Sequence, residues 1–559
     1  MKKLISTLLA LSSGILLGAA VPVERIYVST DRDVYIAGDA VWCSLTSLDE
    51  NGRFSNESAV SYLELVSTTG TVCTAKIGLL EGRGAGSFRI PVTAPTGTYR
   101  LVAYTAVNAN EEGTPWMAGS RLLTIFNSTS SARVPDGVEV LEENTYEALE
   151  HPVTTPEGNL QLSARTRVPR NSANALILNN AGAKASVSLS VYHEDDLVPA
   201  ARENTPESFL KALPAGIRIK PGANPLNEFD GEIVTARVKG ALMEDVDSYA
   251  EATLSTAGDP SNIYIGRADG SDLIRFYTSN IYGNREIVCE VSKLDKEGGY
   301  IDFESPFIRA EAGNLPKLRM SPSQRQDLVS RKAALRSEKG LRIDTLTTYM
   351  NHRKDLLLEG NQFRRYHLDD YTRFPSVREI LVEFIPELVI RKVKNRWVIQ
   401  LVISDAIQSR FERTDNILVM MDGVILSDLN TLLGFDAMLL EDVDIYMQTF
   451  VCGKVPFHGL VNFITKKNYV TALHFPANVR VVDFQGVAYP VAYDGTVPPG
   501  EGQDLRQLLY WHPILNLDAG SDYRIELHTP GYAGRFKAVA EGFTEDGKPI
   551  YQEFSFEVE

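Results

Sequence analysis

The chain has 559 residues, 44% of them hydrophobic and 9% aromatic, with a formal net charge of −16. That length predicts several domains, and the composition excludes a wholly disordered or collagen-like chain. With 56 basic against 72 acidic residues, the phosphate backbone of a nucleic acid is a poor partner, and a large outer-membrane pore barrel would consume most of the chain.

Residues 1–20 read as a signal peptide. Lys2 and Lys3 supply a positive start, Leu4 to Leu17 an apolar run, and Gly18, Ala19 and Ala20 the small residues of a cleavage site. The run is too short for a comfortable membrane span, and β-type sequence follows it directly. Export with cleavage near Ala20 is expected. No Cys stands near that site to carry a lipid. No later segment reaches the ~18 consecutive apolar residues of a membrane helix.

The fold class expected for the remainder is mainly β, with tandem sandwiches, a helical spacer and one small α/β domain. Residues 21–127 are predicted as the first sandwich. Short alternating strands at 25–29, 40–45, 61–66, 87–91 and 99–104 are separated by turns about every ten residues. Tyr35 and Trp42 are candidate core residues, and Gly38 and Gly97 candidate turn residues. The stretch Ser29-Thr30-Asp31-Arg32-Asp33-Val34-Tyr35-Ile36-Ala37-Gly38-Asp39, with Val41-Trp42 and the exit Pro95-Thr96-Gly97-Thr98-Tyr99-Arg100-Leu101, resembles the second domain of the α-macroglobulin family. That resemblance implies a macroglobulin-like module.

Residues 128–157 read as a linker rich in Ser, Thr, Pro and Glu. Residues 158–220 are expected as a second macroglobulin-like unit with strands near 160–162 and 185–192. Residues 221–311 are expected as a third sandwich, loosely like carboxypeptidase regulatory modules. Residues 312–365 break the β pattern as a helical spacer. Ser321, Pro322 and Gln324 form a capping box ahead of a helix that ends at Gly340, with Leu328, Val329 and Leu335 on one face. A second helix is expected over 344–358. Residues 309–365 carry 13 Lys/Arg against 6 Asp/Glu. They read as a solvated helical linker against acidic sandwiches; the alternative is a basic patch for acidic partners or lipid headgroups.

Residues 366–470 change character. A short helix over 371–381 leads to a strand over 384–391. Then come the buried-strand pattern Leu418-Val419-Met420-Met421 with the tight turn Asp422-Gly423, a strand over 439–446 and another over 458–467. In order and spacing this is similar to the plug domain of TonB-dependent outer-membrane receptors. No barrel follows, so the resemblance implies a plug-like α/β fold reused as a rigid interaction domain, without implying transport. Residues 471–559 are expected as a C-terminal sandwich. Within them, Asp504 to Pro513 resembles a Tyr-Trp-X-Pro signature of macroglobulin-containing multi-domain proteins. The combination resembles exported proteins of Bacteroidetes.

No catalytic, cofactor or metal residues are nominated. The eight histidines (His151, His193, His352, His367, His458, His474, His512 and His528) form no HExxH and no i, i+4 pair. No GxSxG, P-loop or macroglobulin thioester motif occurs. Gly82, Gly84 and Gly86 read as a hairpin. The acidic runs Glu194-Asp195-Asp196 and Asp369-Asp370 read as solvated turns, the alternative being loose divalent-cation binding. Four cysteines, Cys43, Cys73, Cys289 and Cys452, make no disulfide scaffold; Cys43 and Cys73 either pair or stay as core thiols. The reading is a non-enzymatic binding or scaffolding protein, exported to the periplasm or outer membrane. Its expected partner is an envelope protein, with peripheral outer-membrane association and no cofactor. The alternatives are an accessory part of TonB-dependent nutrient uptake and a hydrolase with scattered catalytic residues.

Overall fold

The computed structural model describes residues 22–128, 137–141, 160–197, 203–223, 225–239, 251–258, 261–268, 272–279, 281–291, 300–340, 347–350, 361–394, 396–405, 410–452, 455–470, 473, 475, 478–493 and 504–559. The signal peptide expected at 1–20 lies outside them. The protein is mainly β, with β-sandwich modules and short helices.

In the first sandwich the strand order is Arg25–Thr30, Ala40–Leu48, Arg83–Arg89, Gly70–Leu80, Val60–Ser67, Gly97–Tyr104, Arg121–Phe126 and Val34–Ile36. The sheet folds over where Leu79 pairs with Gly84, so Val28, Val41 and Leu45 of one layer meet Leu63, Ile77, Leu101 and Leu123 of the other. Gly82 takes the hairpin turn at φ 74. Gly84 and Gly86 lie inside the following strand, where a Cβ would collide with Leu79 and Ile77. The Asp31-to-Asp39 motif is a buried turn lock. Asp31 Oδ1 accepts from Tyr35 Oη at 2.7 Å and from the Trp42 N–H at 2.9 Å, and Asp39 Oδ2 accepts from the Ile36 N–H at 2.8 Å. Gly38 has φ 99, as expected of a turn glycine; Gly97 instead opens a strand. Trp42 is half-buried and faces outward, 6.3 Å from the Tyr493 ring.

The units expected at 158–220 and 471–559 are one sandwich. Ala185–Glu194 lies between Leu508–Leu517 and Gly534–Thr544, and Ala173–Asn180 pairs with Ser521–His528. Leu176, Leu178, Val187 and Leu189 share a core with Leu515, Leu527, Phe536 and Phe556. Local alternation predicts each strand but carries no record of its partner more than 300 positions away, so two half-sandwiches look like two domains. The unit expected at 221–311 is likewise incomplete alone. Its antiparallel sheet, Tyr300–Phe303, Ile233–Lys239, Leu273–Tyr277, Ile263–Ala268, Glu251–Thr256 and Asn284–Val291, ends on the distant strand Val479–Gln485.

The modules are therefore nested. The α/β unit is inserted in the middle sheet, and the middle sheet is inserted in the second sandwich. After Gln485 the chain turns at Gly486, whose Cβ would collide with the Gly283 and Ile281 carbonyls. Val487–Ala488 then adds to Gly70–Leu80 of the first sandwich, and Val491–Tyr493 joins the second sandwich.

The spacer holds the expected helix, Arg325–Gly340, behind the Ser321/Gln324 capping box. Its inward stripe runs through Gln324, Leu328, Arg331 and Ala334, while Val329 is 55% exposed, one position off the helical repeat. Arg331 is buried because Asp195 receives its Nε at 2.5 Å and the Val34 carbonyl its Nη1 at 2.7 Å. Where a second helix is expected over 344–358, residues Thr347–Tyr349 are a strand paired with Val491–Tyr493; β-branched Thr347 and Thr348 suit that pairing. Residues 344–346 and 351–358 lie outside the described residues. Within the expected linker, Val138–Val140 pairs with Leu318–Met320.

Because Ala185–Glu194 has its sheet neighbours only in the C-terminal segment, a chain ending at residue 503 should lose hydrogen-exchange protection throughout 173–194. The strands of the first sandwich at 40–48 and 60–67 should keep theirs. Retained protection at 185–194 in that truncation would show that the N-terminal half-sandwich folds alone.

Candidate functional site

Chemistry-bearing side chains are dispersed. His193 lies edge-on to Tyr532 and Phe536, with ring centroids 5.3 Å apart. Burial lowers its pKa and those of His512 and His528. His367 Nδ1 meets Asp442 Oδ1 at 2.8 Å, and His458 Nδ1 lies 3.4 Å from Thr449 Oγ1. His151, His352 and His474 lie outside the described residues. Cys43, Cys73 and Cys289 are free thiols. Burial pushes Cys43 and Cys73 up to about 12, so both stay protonated at neutral pH. In the acidic runs Asp196 and Asp370 are exposed, as expected of solvated turns, and the other three residues are paired internally. Glu194 pairs with Arg535 and Lys537, Asp195 with Arg331, and Asp369 with Arg373. Among the described residues no group of three His, Cys, Asp or Glu is placed to hold a metal ion. The tail motif is a buried support. Arg506, fully buried, makes two parallel bonds of 2.9 Å to Asp504, and Trp511 packs beside Tyr493.

What the fold does bring together are the junctions between modules. Between the first sandwich and the middle sheet, Lys76 Nζ donates to both carboxylate oxygens of Glu232 at 2.7 Å and sits 4.0 Å over the Phe484 ring. Beside it, Glu228 Oε1 accepts from Tyr62 Oη and from the Ile233 N–H, each at 2.8 Å. Its Oε2 is buried with no hydrogen-bond partner among the described residues. Burial pushes the Glu228 carboxyl up to about 7, against the Ile233 hydrogen bond that lowers it. Burial also raises Glu232, against the opposing charge of Lys76. Between the first and second sandwiches, Glu541 receives Arg121 at 3.0 Å and Tyr27 Oη at 3.2 Å, and Arg121 also reaches Asp33 at 2.7 Å. An open cleft of about 460 Å³, lined by Lys76, Ser87, Arg89, Asn284, Gln485 and Tyr489, lies where the first sandwich, the middle sheet and the returning segment meet.

The α/β unit is fastened to the middle sheet. Its main sheet runs Arg364–His367, Leu440–Tyr446, Leu460–Thr465, Leu418–Met421, Val424–Ile425, with Leu418–Met421 and Leu460–Thr465 parallel. Asp422 and Gly423, at φ 46 and 83, form the expected two-residue turn. The turn is also a plug into the neighbouring module. The Asp422 carbonyl accepts from the Gly258 N–H at 2.8 Å, and Ser261 lies where a Gly423 Cβ would stand. Asp422 is held by Thr465, whose N–H and Oγ1 donate at 2.7 and 2.6 Å. Around it Leu418, Met420 and Phe450 pack on Ile263 and Ile265. Farther out, Val377–Glu383 is a helix capped by Ser376, and Leu388–Val393, Arg396–Asp405 and Arg410–Thr414 form a three-stranded antiparallel sheet. Tyr371 stacks parallel on Phe384 at 4.6 Å, and Tyr371 and Val382 remain 42% and 64% exposed.

Residues 25–118 match the MG2 domain. The first sandwich is thus a macroglobulin-like module, and the Asp31-to-Asp39 lock lies within the matched stretch. Among solved structures the chain is similar to a mutant Salmonella α2-macroglobulin, at 11% identity over 97% of this chain and 40% of that one, with a TM-score of 0.23. It is also similar to trypsin-activated α2-macroglobulin from Escherichia coli, at 9% identity over 97% and 42%, with a TM-score of 0.22. The Yersinia pseudotuberculosis adhesin InvE is similar at 11% identity over 50% and 58%, with a TM-score of 0.14. The chain spans about 40% of the length of the macroglobulins. No curated protein matches the sequence. No described helix is long and apolar enough to cross a membrane.

The junction residues Lys76, Glu228, Glu232 and Glu541 carried no signal in the sequence beyond being charged residues within β-type segments. Glu228 holds its proton to about pH 7 when folded but only to 4.5, the ordinary value, when unfolded. Its contribution is fully present below 4.5 and is lost as pH rises through about 7, roughly 3 kcal/mol in all. Denaturant stability should therefore slope downward between those values, and Glu228→Gln should flatten the slope; parallel profiles for the two proteins would refute the assignment. Separately, Gly423→Val should dislodge the α/β unit, seen as faster proteolysis within 410–465 while the first sandwich stays resistant. Unchanged proteolysis would mean that the turn is not a fastening point.

Proposed function

We propose that this chain is an exported, non-enzymatic binding or scaffolding protein of the cell envelope, located in the periplasm or at the outer membrane. In this reading the macroglobulin-like modules provide a rigid frame. The α/β unit is a plug-like domain, like those of TonB-dependent receptors, reused as a contact element without a transport barrel. The observation that carries the proposal is mechanical. The α/β unit is held by its Asp422-Gly423 turn and by the return of the chain into the middle sheet, while Tyr371 and Val382 stay exposed on its outer helix and loop. A fixed unit with an exposed apolar and aromatic rim is suited to docking a protein, because little ordering entropy is lost on contact. The dispersal of the described histidines and the protonated thiols also favours contact over catalysis. The leader-like start supports export, and the module order supports kinship with exported proteins of Bacteroidetes.

The experiment places a photo-crosslinking residue at Val382 or, as a control on the frame, at Val92, which is 63% exposed. Cells expressing the full chain with its leader should give a crosslink to one envelope protein from position 382 and none from 92. Equal labelling from both positions, or none from 382, would defeat the contact role. The second reading, an accessory of TonB-dependent uptake, predicts in addition that Gly423→Val lowers uptake of a nutrient; normal growth on every nutrient tested would remove it.

A further inference from the structure

The outer sheet of the α/β unit carries cations that the chain leaves without acidic partners. By register, Arg391 lies opposite Val398, Val393 opposite Arg396, and Arg413 opposite Val402. These residues share one face. The other face, with Leu388, Ile390, Ile399 and Leu401, packs into the core under Val377 and Leu381. Lys394 sits in the hairpin turn at φ 46. Lys392 and Arg378 flank the half-buried Trp397 ring at 5.7 and 5.4 Å. Arg378, Arg391, Lys392, Lys394, Arg396 and Arg413 are all exposed, and among the described residues none makes an ion pair.

The expected basic segment at 309–365 differs in part. Four of its cations find internal carboxylates, Arg319 with Glu139, Arg331 with Asp195, Arg364 with Glu387 and Arg365 with Asp444, while Arg309, Lys317, Arg325 and Arg336 stay exposed along its length. In a chain of net charge −16, Arg378, Arg391, Lys392, Lys394 and Arg396 gather at the hairpin end of this sheet, where they repel one another and gain from an external anion, while Arg413, opposite Val402, extends the outward face away from the hairpin. Charges on edge strands also deter sheet-to-sheet association. That role needs charge along the strand edges, and it does not account for Arg378 on the helix or for the shared outward face. The same tip exposes Val393 at 37% and carries Trp397 between two cations. Cations, an aromatic ring and short aliphatics together match the headgroup layer of a bilayer, where phosphate lies above the acyl boundary.

We propose that this tip is the surface by which the protein docks on the anionic headgroups of a membrane leaflet, with its acidic modules turned away. This rests on reading the α/β unit as the contact element. Its test needs no export, so a failure of the localisation reading in cells would leave the result below unaffected.

The full chain is sedimented with phosphatidylcholine vesicles, alone or mixed with phosphatidylglycerol. Binding is expected only to the mixed vesicles and is expected to be lost at roughly 1 M salt, where charges are screened within ~3 Å. The variant Arg391→Gln, Lys394→Gln, Arg396→Gln should bind on the order of a hundredfold more weakly. A control variant, Arg167→Gln, Lys211→Gln, Arg524→Gln, should bind as the parent does. Absence of binding to mixed vesicles, or equal binding by the tip variant, overturns the proposal. So does tip-dependent binding of polyglutamate without vesicle binding, which would assign the tip to an acidic protein segment.

Discussion

The segment 479–493 adds one strand to each of three sheets in succession. This return path is the constraint on which the rest depends. It closes the middle sheet, fixes that sheet against the first sandwich and delivers the chain to the second. Backbone pairing sets the relative position of the modules to within a strand register, something a flexible linker cannot do. Gly486 is the hinge of the path, where two carbonyls leave no room for a side chain.

Charge then locks what the backbone has positioned. Lys76 with Glu232, Arg121 with Glu541 and Arg331 with Asp195 all cross module boundaries, and all have both partners nearly buried. Such pairs contribute little net stability against a hydrophobic alternative. Breaking one by displacing a module strands a buried charge, so they favour a single arrangement of modules over its neighbours. Glu228 is the exception, a carboxyl at the same junction with one oxygen lacking a hydrogen-bond partner among the described residues and a proton held near neutrality.

The same logic of pairing separates frame from surface. The Asp31-to-Asp39 lock and the Arg506–Asp504 pair account for two sequence motifs entirely through internal bonds. In the acidic runs expected as solvated turns, Glu194, Asp195 and Asp369 neutralise Arg331, Arg373, Arg535 and Lys537. The basic tip around 391–396 gathers exposed cations that make no ion pair among the described residues. The sequence shows it as a run, since Arg391, Lys392, Lys394, Arg396, Arg410 and Arg413 stand close together, but composition does not distinguish it from the basic segment at 309–365, because only the fold decides which cations meet carboxylates.

The sequence by itself determined the local elements. Short β-type patterns marked the strands at 25–29, 40–45 and 185–192, and an unbroken apolar run marked that at 418–421; Ser321 with Gln324 marked a helix start; and Asp422-Gly423 marked a tight turn. Each depends on residues a few positions apart, so each is written locally. Tertiary structure alone decided which strands share a sheet, because hydrogen-bonded edges are chemically alike and partner choice rests on burial that only the assembled core supplies. It decided that Thr347–Tyr349 is a strand, since the edge of Val491–Tyr493 was waiting for it. And it decided which charges are used up, because whether Arg331 or Arg391 finds a carboxylate depends on what the fold places within reach.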